Sequence, residues 1–252
     1  MADFSGEEFL AALPDDTAQA TREQVCRVVG TALEASGRRL WVFGLAHDAP
    51  PREAIALVVQ MGGELARGAT NLYDQKIWYA GAALVRQLVE FEYLMYLFAT
   101  DRDEPARWLA SSSDELRKVY QPAQMRRRSR NRFRDEEYWA HCTLGGHPNP
   151  KAQSLLPEHL PLLGSRRFMW VDLGQHLVQF WAFLEESLEL HDLLGLQQVQ
   201  EDSERIYSAV EQWYQVDLCA ARIPVSGFQS LSEAAHRLPA PQRLSEYLRN
   251  LE

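Results

Sequence analysis

WYAGAALVRQLVEFEYLMYLFA (Trp78–Ala99) decides the fold, because it is apolar on nearly every side at helical spacing. Leu84, Val85, Leu88, Val89, Phe91, Leu94, Met95 and Phe98 leave little polar face. A helix that is apolar all round belongs at the centre of a bundle. Arg86 and Glu90 interrupt it, spaced i,i+4 so that they face each other. Upstream, Pro51 suits a first helical position, and Ile55, Val58, Val59, Met61, Leu65 and Leu72 form an inward stripe that Gly62-Gly63 is expected to weaken or bend. An earlier helix begins near Asp16 or Thr17, carries Val25, Val28, Val29, Ala32, Leu33, Leu40, Trp41 and Phe43, and is broken by the prolines of HDAPP (47–51).

Downstream, short helices are predicted around Pro105–Ser111, from Ser113 to Tyr120, and over Phe133–Thr143, which Gly145-Gly146 and Pro148-Asn149-Pro150 end. Two longer ones follow, Arg166–Leu194 and Val199–Val216, and then short helices at Leu231–Arg237 and Pro241–Leu251. No segment alternates with period two, and no internal repeat is present. The expectation is an all-α protein: a mobile lead-in (1–16), a single multi-helix bundle (17–217) and a short helical C-terminal tail (218–252).

Composition narrows the function classes. The 252 residues carry a net charge of −9, yet six arginines crowd into 126–134 (Arg126, Arg127, Arg128, Arg130, Arg132, Arg134). An acidic body with one basic strip argues against non-specific nucleic-acid coating and allows a local phosphate site. Three distant cysteines (Cys26, Cys142, Cys219) with no CxxC pair fit a reduced, cytoplasmic setting. The N-terminus lacks the basic start and apolar core of a signal peptide, and no apolar run reaches the roughly 18–20 residues that span a bilayer. A soluble protein without a membrane partner is expected.

The chemistry-bearing stretch is RRRSRNRFRDEEYWAHCTLGGHPNPK (126–151). On one helix, Arg134 and His141 would share a face about 10 Å apart along the axis. Arginine neutralises phosphate charge through forked hydrogen bonds, and histidine moves the proton of a 2′-hydroxyl or leaving oxygen, so RNA cleavage of this kind needs no metal. The other five arginines, with Phe133, Tyr138 and Trp139 to stack bases, make a nucleic-acid-binding strip. The same run also reads as a solvated face, or as partners for Glu7, Asp15, Asp16, Asp101, Asp103 and Glu104.

Arg134, the polar Asp135 and His141 six residues after Arg134's neighbour resemble the short motif of HEPN-type helical ribonucleases. That resemblance implies a HEPN-like bundle that dimerises to form a cleft, with arginine and histidine as the catalytic pair. AALVRQLVEFEYLMYLFATDRDEPARWL (82–109), with Arg86 and Glu90, is similar to an uncharacterised bacterial helical family in which a histidine near proline follows some fifty residues on. That resemblance makes His147, before Pro148, the equivalent histidine.

The leading expectation is thus a HEPN-like protein that binds RNA and cleaves it without metal, in a stress, toxin–antitoxin or phage-defence setting. Its site residues are Arg134 with His141 or His147, and its partners are RNA and a second copy of the chain. The alternatives are a non-catalytic protein-interaction or homodimerisation module using Trp170, Phe180 and Trp181, and a small-anion-binding bundle centred on Arg86 and Glu90. Glu137, His141 and His147 make an incomplete metal set, and the one Glu-x-x-His spacing is Glu233 with His236, so neither metal nor cofactor is expected. Phosphate-loop, nucleophile-elbow and dinucleotide motifs are absent.

Overall fold

The computed structural model describes residues 15–47, 49–129, 132–156, 163–193, 197–217 and 219–220. Arg130, residues 1–14 of the predicted lead-in, Glu233, His236 and the predicted tail helices lie outside them. The described residues contain helices and turns and no strand. The helices are α1 (Asp16–His47), α2 (Pro50–Asp74), α3 (Trp78–Thr100), α4 (Glu104–Ala110), α5 (Ser113–Val119), α6 (Pro122–Arg128), α7 (Asp135–His141), α8 (Leu163–Leu190) and α9 (Gln197–Val216). A π-helical turn, Cys142–Gly146, continues α7, and a 3₁₀ turn spans Pro150–Leu155. None of the helices among the described residues is long and apolar enough to cross a membrane.

Helix starts follow local chemistry. Asp15, rather than Asp16 or Thr17, caps α1: its Oδ1 accepts from the amides of Thr17 (2.8 Å) and Ala18 (3.1 Å). Ser112, rather than Ser113, caps α5 through a reciprocal capping box with Glu115. The predicted Phe133–Thr143 helix is shorter at both ends, because Arg134 is extended (φ −89°, ψ 145°) and the chain after His141 widens into the π turn.

Gly62-Gly63 does not break α2, which runs from Pro50 to Asp74. These glycines are where neighbours come closest. A Cβ on Gly63 would lie 2.7 Å from the Glu34 amide nitrogen, and one on Gly37 would lie 2.7 Å from that of Gln60. Gly30, Gly37 and Gly44 recur every seven residues along α1 and face Ala66, Gln60 and Glu53 in turn. The partner number falls as the glycine number rises, so the two helices are antiparallel with their backbones in near contact. Met61, expected inward, is 38% exposed on the outer side of this pair.

α3 packs on α2 and α8, α8 also lies against α1, and α9 closes on α1. One continuous apolar core runs through these helices. Trp181, Phe180 and Trp170 belong to that core at 0%, 0% and 2% exposure, so they offer no docking face; this corrects the expectation from sequence. A buried ion pair fastens the last helix to the first. The Arg22 guanidinium donates to both Asp217 oxygens at 2.7 Å, and Trp213 Nε1 and the Cys219 amide donate to the same carboxylate.

Candidate functional site: a buried histidine–carboxylate centre

Helices α3, α7 and α8 each turn polar side chains into the core at one level. α8 contributes Asp172 and His176, one turn apart on one face, and α7 contributes Glu137 and His141 with the same spacing. α3 contributes Glu92. All five are buried, Glu92 completely. Three carboxylates here sit out of water beside two imidazoles, a charge balance that is costly unless positive charge accompanies it.

The hydrogen bonds fix how the rings are oriented. His141 Nδ1 lies 2.8 Å from the Glu137 carbonyl oxygen, which can only accept, so Nδ1 carries the proton. His176 Nδ1 donates to Glu92 Oε2 at 2.5 Å. With both Nδ1 atoms engaged, the two Nε2 atoms face each other at 3.1 Å. Asp172 completes the group, with Oδ2 3.2 Å from His141 Nε2 and Oδ1 3.7 Å from His176 Nε2. These three side chains are the one group among the described residues whose ligand atoms converge closely enough to hold a metal ion.

Two like acceptor nitrogens at 3.1 Å repel unless something positive lies between them. In the bare protein that is a proton. Burial pulls the His176 pKa down, but the Glu92, Asp172 and Glu137 carboxylates outweigh it and raise it to about 9. The same pairing works on Asp172, whose carboxyl stays below its ordinary range because His141 and His176 override the effect of burial. A metal ion is the other solution. Ligands about 2.1 Å from one ion, at 90–109° to each other, lie roughly 3.0–3.4 Å apart. Two of the three separations, 3.1 and 3.2 Å, fall in that interval, and the third, His176 Nε2 to Asp172 Oδ1, is longer at 3.7 Å. The bonds at the two Nδ1 atoms are the outer-shell contacts that metal-binding histidines characteristically make.

Two further groups border the centre. Tyr73 of α2 is 1% exposed, its ring lies 5.4 Å from that of Trp170 and 5.3 Å from that of Trp78, and its hydroxyl has no hydrogen-bond partner. Burial, and next the Asp172 charge, hold its pKa well above the ordinary value. Glu92 Oε1 is likewise without a partner.

The residues singled out from sequence divide by location. His141 is 3% exposed, inside the centre, whereas His147 lies exposed beyond the π turn. Arg134 precedes α7 as its N-cap residue, so it does not share a helical face with His141, and it pairs with Glu136 at 3.5 Å. Spacing along the chain groups Glu137, His141 and His147; the fold keeps the first two and replaces the third with Asp172 and His176.

The arginine strip turns largely onto its own protein. Arg126 is buried, bonded to Asp135 at 2.7 Å and 4.2 Å above the Tyr138 ring. Arg128 pairs with buried Glu104 at 2.6 Å, and Arg132 reaches Gln179 and lies over Phe183. Arg127 is exposed. Among the aromatics, Phe133 and Tyr138 are each 7% exposed and Trp139 is 59% exposed, so Trp139 alone presents a ring to solvent. Arg86 and Glu90 do face each other, at 2.7 Å, and both meet the Tyr138 hydroxyl.

Glu92, Asp172 and His176 were not singled out by sequence. The available signal was polar interruption of apolar helices: Asp172-x-x-x-His176 in α8, and Glu92 in α3. Models of known families, curated proteins and solved structures give no match to this chain.

Proposed function

We propose that this protein is a helical metalloprotein whose His141, Asp172 and His176 bind one divalent transition-metal ion in the bundle core. The observation that carries the reading is the convergence of two imidazole Nε2 atoms and a carboxylate at 3.1–3.7 Å, with each Nδ1 already donating elsewhere. Two imidazoles and one carboxylate suit Fe(II), Mn(II), Co(II) or Zn(II) better than Mg(II) or Ca(II), which prefer all-oxygen shells. Two histidines with one carboxylate also form the donor set of non-haem iron centres that keep positions open for reactants. The ion takes up buried negative charge that a proton on His176 otherwise balances. Calorimetric titration of chelator-treated protein with Mn(II), Co(II) and Zn(II) tests this. One site per chain is expected, lost in His176→Ala and in Asp172→Asn; unchanged binding in both variants overturns the assignment.

The HEPN-like ribonuclease reading is carried by a different surface. Trp139 and His147 are exposed at α7 and the end of the π turn, and Arg127 is exposed on α6. Among the described residues, these are the members of the candidate set that stand exposed. RNA cleavage in chelator that is lost in His147→Ala supports this second reading. Cleavage-free protein that binds metal leaves the first.

A further inference from the structure

We propose that α7 is a flap over the histidine–carboxylate centre, held shut by the Tyr138 hydroxyl, and that a metal ion enters and leaves as this flap lifts from α3. The inference rests on the metal-centre reading and adds how an ion reaches so enclosed a site. His141, Asp172 and His176 are 3%, 2% and 3% exposed, so some element must part before an ion exchanges.

The two helices that supply the ligands are held differently. Asp172 and His176 lie within 168–184 of α8, where every residue is buried, so α8 cannot shift without opening the close-packed core. α7 has seven residues and stands at the surface. Asp135, Glu136 and Trp139 are exposed, while Glu137, Tyr138, Ala140 and His141 are buried beneath them. Lifting α7 uncovers His141 and brings few apolar groups into water.

The contacts of α7 supply a pivot and a catch. Downstream, the π turn is pressed onto α3: a Cβ on Gly145 would lie 2.5 Å from the Ala82 carbonyl carbon, and one on Gly146 would lie 2.8 Å from Arg86 Cδ. That end is the pivot. The catch lies three residues before His141, where Tyr138 Oη donates to Glu90 Oε1 at 2.9 Å and accepts from Arg86 Nη2 at 2.8 Å. One hydroxyl thus ties α7 to two positions on α3. The Arg126 guanidinium, 4.2 Å above the Tyr138 ring and bonded to Asp135, adds a hold from α6. Tyr138→Phe removes both hydrogen bonds of the hydroxyl but leaves Arg86 and Glu90 paired at 2.7 Å and part-exposed, so no charge is stranded. Local opening of this kind has its own free energy, separate from that of global unfolding. A weaker catch raises the open fraction of empty and loaded protein alike, so uptake and release both quicken and the affinity stays the same.

The test follows Co(II) uptake by the chelator-treated full chain, and Co(II) release from the loaded chain into excess EDTA, by the visible absorption of the bound ion. Wild-type release is expected to be independent of EDTA concentration, because opening limits it. Tyr138→Phe is expected to take up and release cobalt about tenfold faster with its affinity unchanged, the effect of two lost hydrogen bonds on the open fraction. Gly63→Ala, which loosens the α1–α2 seam instead, is expected to leave both rates near wild type. Deuterium uptake by the metal-free protein is expected to quicken over 135–146 in Tyr138→Phe, and not in α8. Cobalt exchange by Tyr138→Phe at the wild-type rate overturns the catch. Equal acceleration in Gly63→Ala shows that exchange goes through general unfolding, and overturns the flap. Failure of wild type to bind cobalt is a separate result: it removes the metal centre, and unchanged deuterium uptake over 135–146 then removes the flap as well.

Discussion

Glu92 does two things with one carboxylate. It holds the proton on His176 Nδ1, and so presents the Nε2 lone pair toward His141 and Asp172. Glu92→Gln keeps the size but offers an amide that can turn its donor toward the ring. It is expected to weaken metal binding about tenfold to a hundredfold without abolishing it, as other outer-shell changes do. Competition against a chromogenic chelator measures this, and an unchanged affinity shows that Glu92 does not orient the ring. The metal-free protein should also respond to pH. The folded-state pKa of His176 is raised from 6.5 to about 9, so its contribution to stability is complete below about pH 6.5 and is lost as pH climbs through about 9. Melting temperature in chelator should therefore fall across that window, and fall less with Zn(II) present, because the ion replaces the proton. Equal slopes with and without metal contradict the exchange. At this scale the chain was partly readable. His141 stands out in a polar segment, but Asp172 and His176 sit in the apolar run of α8, where spacing alone does not say which neighbour they meet. That neighbour is set by how three helices dock.

The pairing of α1 with α2 shows how an element can be read correctly and its detail misread. Apolar periodicity locates both helices, and the HDAPP break lies where α1 ends and α2 begins. Sequence alone marks the glycines as weak points in α2, because it shows their flexibility and not their neighbours. In the fold they are the places where two backbones nearly touch. Gly63→Ala places a methyl 2.7 Å from a backbone nitrogen that has no room to retreat, so the helices must separate. We expect a loss of about 1–3 kcal/mol, read from urea denaturation, as for other overpacked core positions. An alanine variant as stable as wild type indicates that the seam is looser than described. The segment from α6 to the start of α7 carries the opposite lesson. Its arginine strip looks like a binding surface in sequence, yet Arg126, Arg128 and Arg132 are engaged with Asp135, Glu104 and Gln179. Carboxylate partners for arginines lie throughout an acidic chain, and only docking chooses among them.

The all-helical architecture was legible in the sequence because amphipathic and all-apolar periods dominate it. The contacts between distant ends were not. Arg22 and Asp217, 195 residues apart, meet in a fully buried pair that ties α9 to α1. Asp217→Ala strands the guanidinium in the core and should cost about 3–5 kcal/mol, the usual penalty for removing one member of a buried pair. Thermal and urea unfolding of the variant check this; a cost below 1 kcal/mol, roughly that of a surface pair, means that the guanidinium reaches water. Metal binding should stabilise the whole bundle in turn, since the ion links α7 and α8 and, through Glu92, braces α3.

The most direct test is crystallographic. Crystals of the chelator-treated protein, soaked in Co(II) and measured at the cobalt absorption edge, give an anomalous difference map. A single strong peak about 2.0–2.2 Å from His141 Nε2, His176 Nε2 and an Asp172 oxygen is the predicted result. An empty centre, with cobalt absent or bound only to surface histidines such as His147, contradicts the account.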